Sequence, residues 1–303
     1  MLGSMPPRHA LIRITDHRPS AARAAPPRVA GLSRRDLLRG LGLAVFTAPV
    51  VKLAAGCGSS DVPAVDGNLG PDGITPDGLS ADGWARGGTA AMTDLASYPD
   101  PFTEAPTSCL VLATATLGPC TTESDLDRQD VSEGWDGLPV RLMFKLVDSG
   151  CQPVAGATVK IWHTNLEGVY SGATPNPGMC SGNDAEAISA DFFRGVQVSD
   201  AAGVVAFSTC FPGWYNGRAI HIHLQVKQGD ASTIVSQVFF PEDVTQGIFA
   251  SHVDYQGFGQ PDTTFADDNV VATMTGGDFT RHVLAVARMS DGAMLASKVI
   301  TIE

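Results

Sequence analysis

Short runs in which hydrophobic and polar residues alternate with a period of two recur through the second two-thirds of the chain. In Pro139–Val147, Leu142, Phe144 and Leu146 interleave with Arg141 and Lys145. Side chains two apart share a face of an extended strand, so the run predicts a strand with one buried face. Similar runs recur at Ala157–Trp162, Gly203–Ser208, Ile220–Val226, Ile234–Phe240, Arg281–Met289 and Leu295–Ile302. Turn formers punctuate them, as in Asp148-Ser149-Gly150 and Asp200-Ala201-Ala202-Gly203. No long stretch carries the 3.6-residue period of an amphipathic helix. Many short strands between turns predict an all-β domain, an antiparallel sandwich or barrel over residues 105–303, with long loops left to carry a site.

The pattern fails before that domain. Residues 58–104 repeat Pro71-Asp72-Gly73, Pro76-Asp77-Gly78 and Ala81-Asp82-Gly83 at five-residue spacing, with few bulky apolar side chains. Such a composition buries too little surface to offset chain entropy and predicts a disordered linker. A calcium-binding repeat is the sharper reading, but this spacing matches no calcium loop. Residues 1–57 carry nine Lys and Arg against two Asp and Glu. Within them, Ser33-Arg34-Arg35-Asp36-Leu37-Leu38 precedes an apolar run from Leu41 to Val51. About a dozen apolar residues are too few to span a bilayer, so the order of features predicts a twin-arginine export signal. Leu53-Ala54-Ala55-Gly56-Cys57 is similar to a lipobox, which makes Cys57 a candidate for lipidation and a membrane tether.

Charge bears on partners, and cysteine content fits an exported protein. The whole chain has a net charge of −12, so the part after residue 57 carries −19. An acidic mature protein is a poor partner for nucleic acid. Beyond Cys57 there are five cysteines, Cys109, Cys120, Cys151, Cys180 and Cys210, enough for one or two disulfides with at least one thiol left over. No C-x-x-C pair supports a thiolate zinc site.

The segment PGWYNGRAIHIH, residues 212–223, concentrates the chemistry. Ile220, Ile222, Leu224 and Val226 alternate with His221, His223, Gln225 and Lys227. On a strand the aliphatic residues face the core and the two imidazoles lie side by side on the other face. Alone, His-x-His fits either a metal site or a pair of surface histidines. No Asp or Glu follows between Leu224 and Gly229, which counts against a cupin and against a site of two histidines and one carboxylate. Tyrosine is the remaining candidate ligand. The chain has four, of which Tyr215 lies six residues before His221 and Tyr170 ends IWHTNLEGVY. Phenolate oxygen suits a hard trivalent ion such as Fe³⁺.

With these residues in view, the sequence resembles the intradiol ring-cleavage dioxygenases, the catechol and protocatechuate dioxygenases among them. The likeness spans roughly residues 107–275 and rests on several stretches. These are Gly118-Pro119, Cys151–Ala157 leading into IWHTNLEGVYSG, FFRGVQVSDAAGVVAFSTCFPGWYNGRAIHIHLQV, and SQVFFPED. The order and spacing of Tyr170, Tyr215, Arg218, His221 and His223 match the family pattern.

The resemblance implies a prealbumin-like antiparallel β-sandwich with non-haem Fe(III) held by Tyr170, Tyr215, His221 and His223. It implies Tyr215 as the ligand that a substrate displaces, Arg218 beside the bound substrate, and Gln237 lining the same pocket. The implied substrates are a catechol-type aromatic and O₂. Trp162, His163 and Arg194 are expected to be structural, and His252 and His282 to be surface or loop residues. In the catechol branch an N-terminal helical region serves dimerisation. Here the Asp/Gly-rich segment stands in its place, so that route to a dimer is not expected and the sequence leaves the oligomeric state unknown. Two other readings stand beside the dioxygenase: a non-catalytic transthyretin-like sandwich, since PVAGATV also resembles such domains, and a different metalloenzyme such as a zinc hydrolase.

Overall fold

The alternating runs fold into two four-stranded sheets in a computed structural model that describes residues 79–229, 231–274 and 279–303. The expected export signal and Cys57, and the first part of the expected linker, lie outside the described residues. The strands are β1 (Pro139–Val147), β2 (Thr158–Trp162), β3 (Arg194–Val198), β4 (Val204–Cys210), β5 (His221–Gln228), β6 (Ala231–Phe239), β7 (Ala285–Arg288) and β8 (Met294–Thr301). One sheet runs β4-β1-β8-β7 and the other β3-β2-β5-β6. Leu142, Phe144 and Leu146 of β1 meet Val159, Ile161, Ile222, Leu224 and Val226 of the second sheet in one continuous core. Burying a side chain of this size contributes roughly 1.5–3 kcal/mol, so this interior is the main stabilising layer.

Three features differ from the sequence reading. First, the sandwich is not wholly antiparallel. β1 pairs with β8 in parallel, from Val140 opposite Met294 to Val147 opposite Thr301. The period of two is the same in both kinds of ladder, so alternation cannot report strand direction. Second, β3 carries no alternation. Arg194, Gly195 and Val196 are all buried, and a Cβ on Gly195 would stand 2.5 Å from Val131. Covered on both faces, the strand shows no apolar-to-polar contrast. Conversely, the start of the Arg281–Met289 run is a 3₁₀ turn, Phe279–His282, and only Ala285–Arg288 extends.

Third, the part of the expected linker that falls within the described residues, 79–104, is not disordered. Residues 79–104 lie against the sandwich, with Ser80, Ala85, Met92 and Phe102 buried. Ala85 donates its N–H to Gly292 O at 2.8 Å, and Arg86 pairs with Asp254 at 3.2 Å. A segment this poor in apolar residues cannot build a core, but it can fill sites on one that already exists. His252 and His282, expected to be surface or loop residues, do lie off the strands, one in a loop and one in the 3₁₀ turn, but both are buried. His252 Nε2 donates to Ala85 O at 3.0 Å and His282 Nδ1 to Gln237 O at 3.1 Å. Among the described residues no helix is long and apolar enough to cross a membrane.

Two disulfides form, Cys109–Cys151 and Cys120–Cys180, and Cys210 is a buried thiol. The second disulfide packs with Trp162 and Tyr170 on the outer face of the second sheet. That face is therefore buried, beneath loops rather than beneath another sheet.

Candidate metal centre

The outer face of the second sheet carries a row of side chains set by strand register. Arg194 of β3 lies opposite Trp162 of β2, Trp162 opposite His223 of β5, and His223 opposite Gln237 of β6. Trp162 and His223 stack with ring centroids 4.8 Å apart and planes 9° from parallel. His221 lies on the same face, two residues earlier, and both imidazoles are buried. The two aliphatic neighbours, Ile222 and Leu224, point into the core as the alternation requires.

The two tyrosines reach this row from loops that are tied to each other. Residues 163–170 follow β2, and residues 211–219 lead into β5. Asn165 O accepts from Gly213 N at 2.9 Å, and Thr164 Oγ1 donates to Gly213 O at 2.7 Å. Asn165 Oδ1 also accepts from Glu167 N and Val169 N, which folds the turn that presents Tyr170. The loops touch so closely that a Cβ on Gly213 would stand 2.4 Å from Leu166 O. One on Gly168, whose φ is +78°, would stand 2.1 Å from Trp214 O. Only glycine allows this approach. Behind Tyr170, its N–H bonds to Cys180 O at 2.8 Å. Arg194 Nε donates to Ser171 O and Oγ, and its Nη2 donates to Cys120 O at 2.8 Å. Arg194 is thus structural, as expected, but it clamps carbonyl and hydroxyl oxygens rather than a carboxylate. His163 is also structural, buried between Thr164 O and Thr209 Oγ1.

Four donor atoms converge. Tyr170 Oη lies 3.4 Å from Tyr215 Oη, 3.3 Å from His221 Nε2 and 3.2 Å from His223 Nε2. His221 Nε2 lies 3.3 Å from Tyr215 Oη and 3.2 Å from His223 Nε2. The other two tyrosines are elsewhere: Tyr98 bonds Asp291 and Tyr255 donates to Phe211 O. His221 Nδ1 donates to Ala219 O at 2.6 Å, which leaves Nε2 as the free lone pair aimed at the cluster. Separations of this size match those between ligands held about 2 Å from a common ion. Among the described residues, no group of three His, Cys, Asp or Glu converges in this way. The set therefore needs its phenols, and it fits a hard trivalent ion better than the zinc of a hydrolase.

Electrostatics agree with that fit. Burial and the Arg218 charge push His221 down to about 3, and burial with the neighbouring His221 holds His223 well below the ordinary imidazole range. Both rings are neutral, the form that binds metal. Burial and the neighbouring Tyr215 hold the Tyr170 phenol well above its ordinary value. Burial also raises Tyr215, with Arg218 opposing the shift. In the metal-free protein both phenols keep their protons, and a bound cation would have to displace them.

Arg218 and Gln237 stand at the edge of the cluster. Arg218 Nη1 lies 3.5 Å from Tyr215 Oη, and its Nη2 donates to Gln237 Oε1. Gln237 Nε2 lies 3.4 Å from His223 Nδ1. The sequence reading missed the residue that holds this arginine. Asp268 is fully buried, and its carboxylate takes Arg218 Nε at 2.9 and 3.1 Å. Burial alone would raise this carboxyl. The charge of Arg218 and the N–H of Ala219 outweigh it and hold Asp268 below the usual carboxylate range. Asp268 before Asn269-Val270-Val271 is a legible helix-start signal, but its partner lies fifty residues away in sequence.

Known proteins resemble this chain over the segment that carries the site. A family model described as Dioxygenase matches residues 118–275, just over half of the chain. Chlorocatechol 1,2-dioxygenase of Pseudomonas sp. (strain P51) is 26% identical, covering 29% of this chain and 38% of that protein. Chlorocatechol 1,2-dioxygenase of Pseudomonas putida is 25% identical and 36% covered. The chain thus spans less than half the length of the curated relatives it matches. Among solved structures, an intradiol ring-cleavage dioxygenase from Tetranychus urticae superposes with a TM-score of 0.56 at 26% identity. That match covers 64% of this chain and 95% of the other. On the family-model match, with these relatives beside it, the chain belongs to the intradiol ring-cleavage dioxygenase family.

Proposed function

We propose that the protein is an exported non-haem ferric dioxygenase acting on a catechol-type aromatic. It inserts O₂ and cleaves the ring between the two hydroxyl-bearing carbons, giving a muconate-type dicarboxylate. Both oxygen atoms enter the product, so no external reductant is consumed. The observation that carries this reading is the meeting of Tyr170, Tyr215, His221 and His223 within 3.2–3.4 Å of one another, with the Arg218 cation beside them. These four residues would hold Fe(III), which when bound supplies Lewis-acid activation of the catechol.

The chain's own residues supply the rest. Tyr215 is the half-buried ligand, whereas Tyr170 and both histidines are fully buried. Its Oη is the base a substrate hydroxyl meets first. Burial holds the Tyr215 phenol above its ordinary value when no metal is bound, so a Tyr215 phenolate displaced by substrate would be a base strong enough to take the catechol proton. Arg218 holds a fixed cation at the same oxygen, where negative charge builds as the substrate ionises. Trp162 and Phe239 flank the imidazoles and keep water from the back of the site. Gln237 braces Arg218 on the side away from Asp268.

Export is supported by the Arg34-Arg35 pattern and by the two disulfides, which persist in oxidising compartments. Cys57 would provide a lipid tether. Protein reconstituted with ferric iron should be red-brown from phenolate-to-iron charge transfer and should consume one O₂ per catechol. A colourless protein, or one that takes up no oxygen with any of a panel of catechols, overturns this reading.

A further inference from the structure

The Asp268 carboxylate has every side occupied. Its Oδ1 accepts from Arg218 Nε at 3.1 Å, Val270 N at 2.8 Å and Val271 N at 3.3 Å. Its Oδ2 accepts from Arg218 Nε and from Ala219 N, both at 2.9 Å. One carboxylate therefore joins three things: the first turn of the short helix Asn269–Met274, the backbone just before β5, and the root of the Arg218 fork. With Nε pinned there, the planar guanidinium has one free rotation removed. Its two outer nitrogens then fall on Gln237 Oε1 and beside Tyr215 Oη. The Arg218 side chain keeps 15% of its surface exposed while that of Asp268 keeps none. The arginine faces the approach to the metal ligands and the aspartate sits behind it.

The geometry points to Asp268 as a positioning residue for the ring-cleaving reaction: it aims Arg218 at the substrate oxygen that occupies the Tyr215 side of the site. This rests on the function proposed above. The hydrogen bonds of the Asp268 carboxylate go to Arg218, Ala219, Val270 and Val271 and to none of the four metal ligands, so it acts through Arg218. A long arginine left without this anchor samples several rotamers, and its charge is then not in place when negative charge develops on the substrate. Lysine at 218 could not replace the arrangement, since it has no fork with one nitrogen to anchor and two to aim.

The test separates aiming from helix capping. Asparagine caps helices as well as aspartate does, so Asp268→Asn keeps the bonds from Val270 N and Val271 N while removing the charge that grips Arg218 and the acceptor for Ala219 N. The iron-loaded variant should retain the charge-transfer band, because the four donors are untouched. Its kcat should fall between about 10- and 100-fold, the range that misplacing a reacting group produces. Anaerobic binding of a slow catechol analogue, 4-nitrocatechol, should weaken by less than kcat falls, since Arg218 meets some charge on the bound catechol and more as the reaction proceeds. On an Arg218→Lys background, adding Asp268→Asn should lower kcat no further.

Asp268→Ser, which also caps but cannot reach Arg218, should behave like the asparagine variant and guards against misfolding of either one. A wild-type kcat in both variants overturns the inference, and so do losses that multiply with Arg218→Lys or a fall in analogue binding equal to the fall in kcat. If the unmodified protein is itself colourless or inactive, the proposed function fails instead, and the two failures are distinguished by that control.

Discussion

Metal uptake by this site should release protons from its two phenols, and the number can be counted. At pH 7 a phenol with an ordinary pKa of about 10 costs about 4 kcal/mol to ionise. Burial raises Tyr170 and Tyr215 above that ordinary value, so the cost for each is larger still. The histidines release no protons, since His221 and His223 are already neutral well below pH 7. Each phenol therefore contributes one proton to uptake at every pH below its own raised pKa, and binding must strengthen as pH rises. Wild-type protein should release one more proton per ion than Tyr170→Phe or Tyr215→Phe, whatever any bound water adds to all three. The assay delivers iron as a ferric chelate to metal-free protein in dilute buffer and reads a pH indicator at pH 6–7. Each variant should also show a shallower rise of apparent affinity with pH, by about one tenfold step per pH unit. Equal proton release from wild type and both variants would refute the reasoning, because it would mean that the phenols do not ionise on binding.

Three further outcomes follow from the same contacts. The metal-free protein should lose stability as pH falls from about 6.5 toward 3. His163, His221 and His223 are held neutral in the fold and gain protons on unfolding, so at pH 5 about three protons should be taken up, measurable from the pH dependence of denaturant unfolding. Gly213→Ala puts a Cβ 2.4 Å from Leu166 O and should force the ligand loops apart, lowering iron occupancy while far-UV circular dichroism still reports the sandwich. Replacing Cys120 and Cys180 together by serine opens a bridge across 60 residues; it should cost about 2–4 kcal/mol in chemical unfolding and loosen the Cys180 O contact to Tyr170 N, weakening iron retention against a chelator.

Much of the sandwich was legible because burial on one face leaves a period of two. β1 came out to the residue, and six other strands within a few positions. β3 was illegible because it is covered on both sides, and the direction of β8 because alternation is blind to polarity. The order of residues 79–104 was illegible because low apolar content reports only that a segment cannot make its own core, not that it cannot pack on another.

At the site, residue types and local spacing already pointed to a chemistry. His221 and His223 share a strand face by periodicity alone, and a pair of imidazoles without a carboxylate nearby directs attention to phenols. What the chain order could not express was contact between segments far apart in sequence. The Asp268 grip on Arg218, the backbone bonds that tie Asn165 and Thr164 to Gly213, and the stacking of Trp162 on His223 all join residues from different strands and loops. Alternation and motif are local properties of a chain, set by which side chains neighbour one another along it. Whether four donor atoms come within a few ångströms depends on register, loop packing and close backbone approach, and these exist only once the sheets have paired.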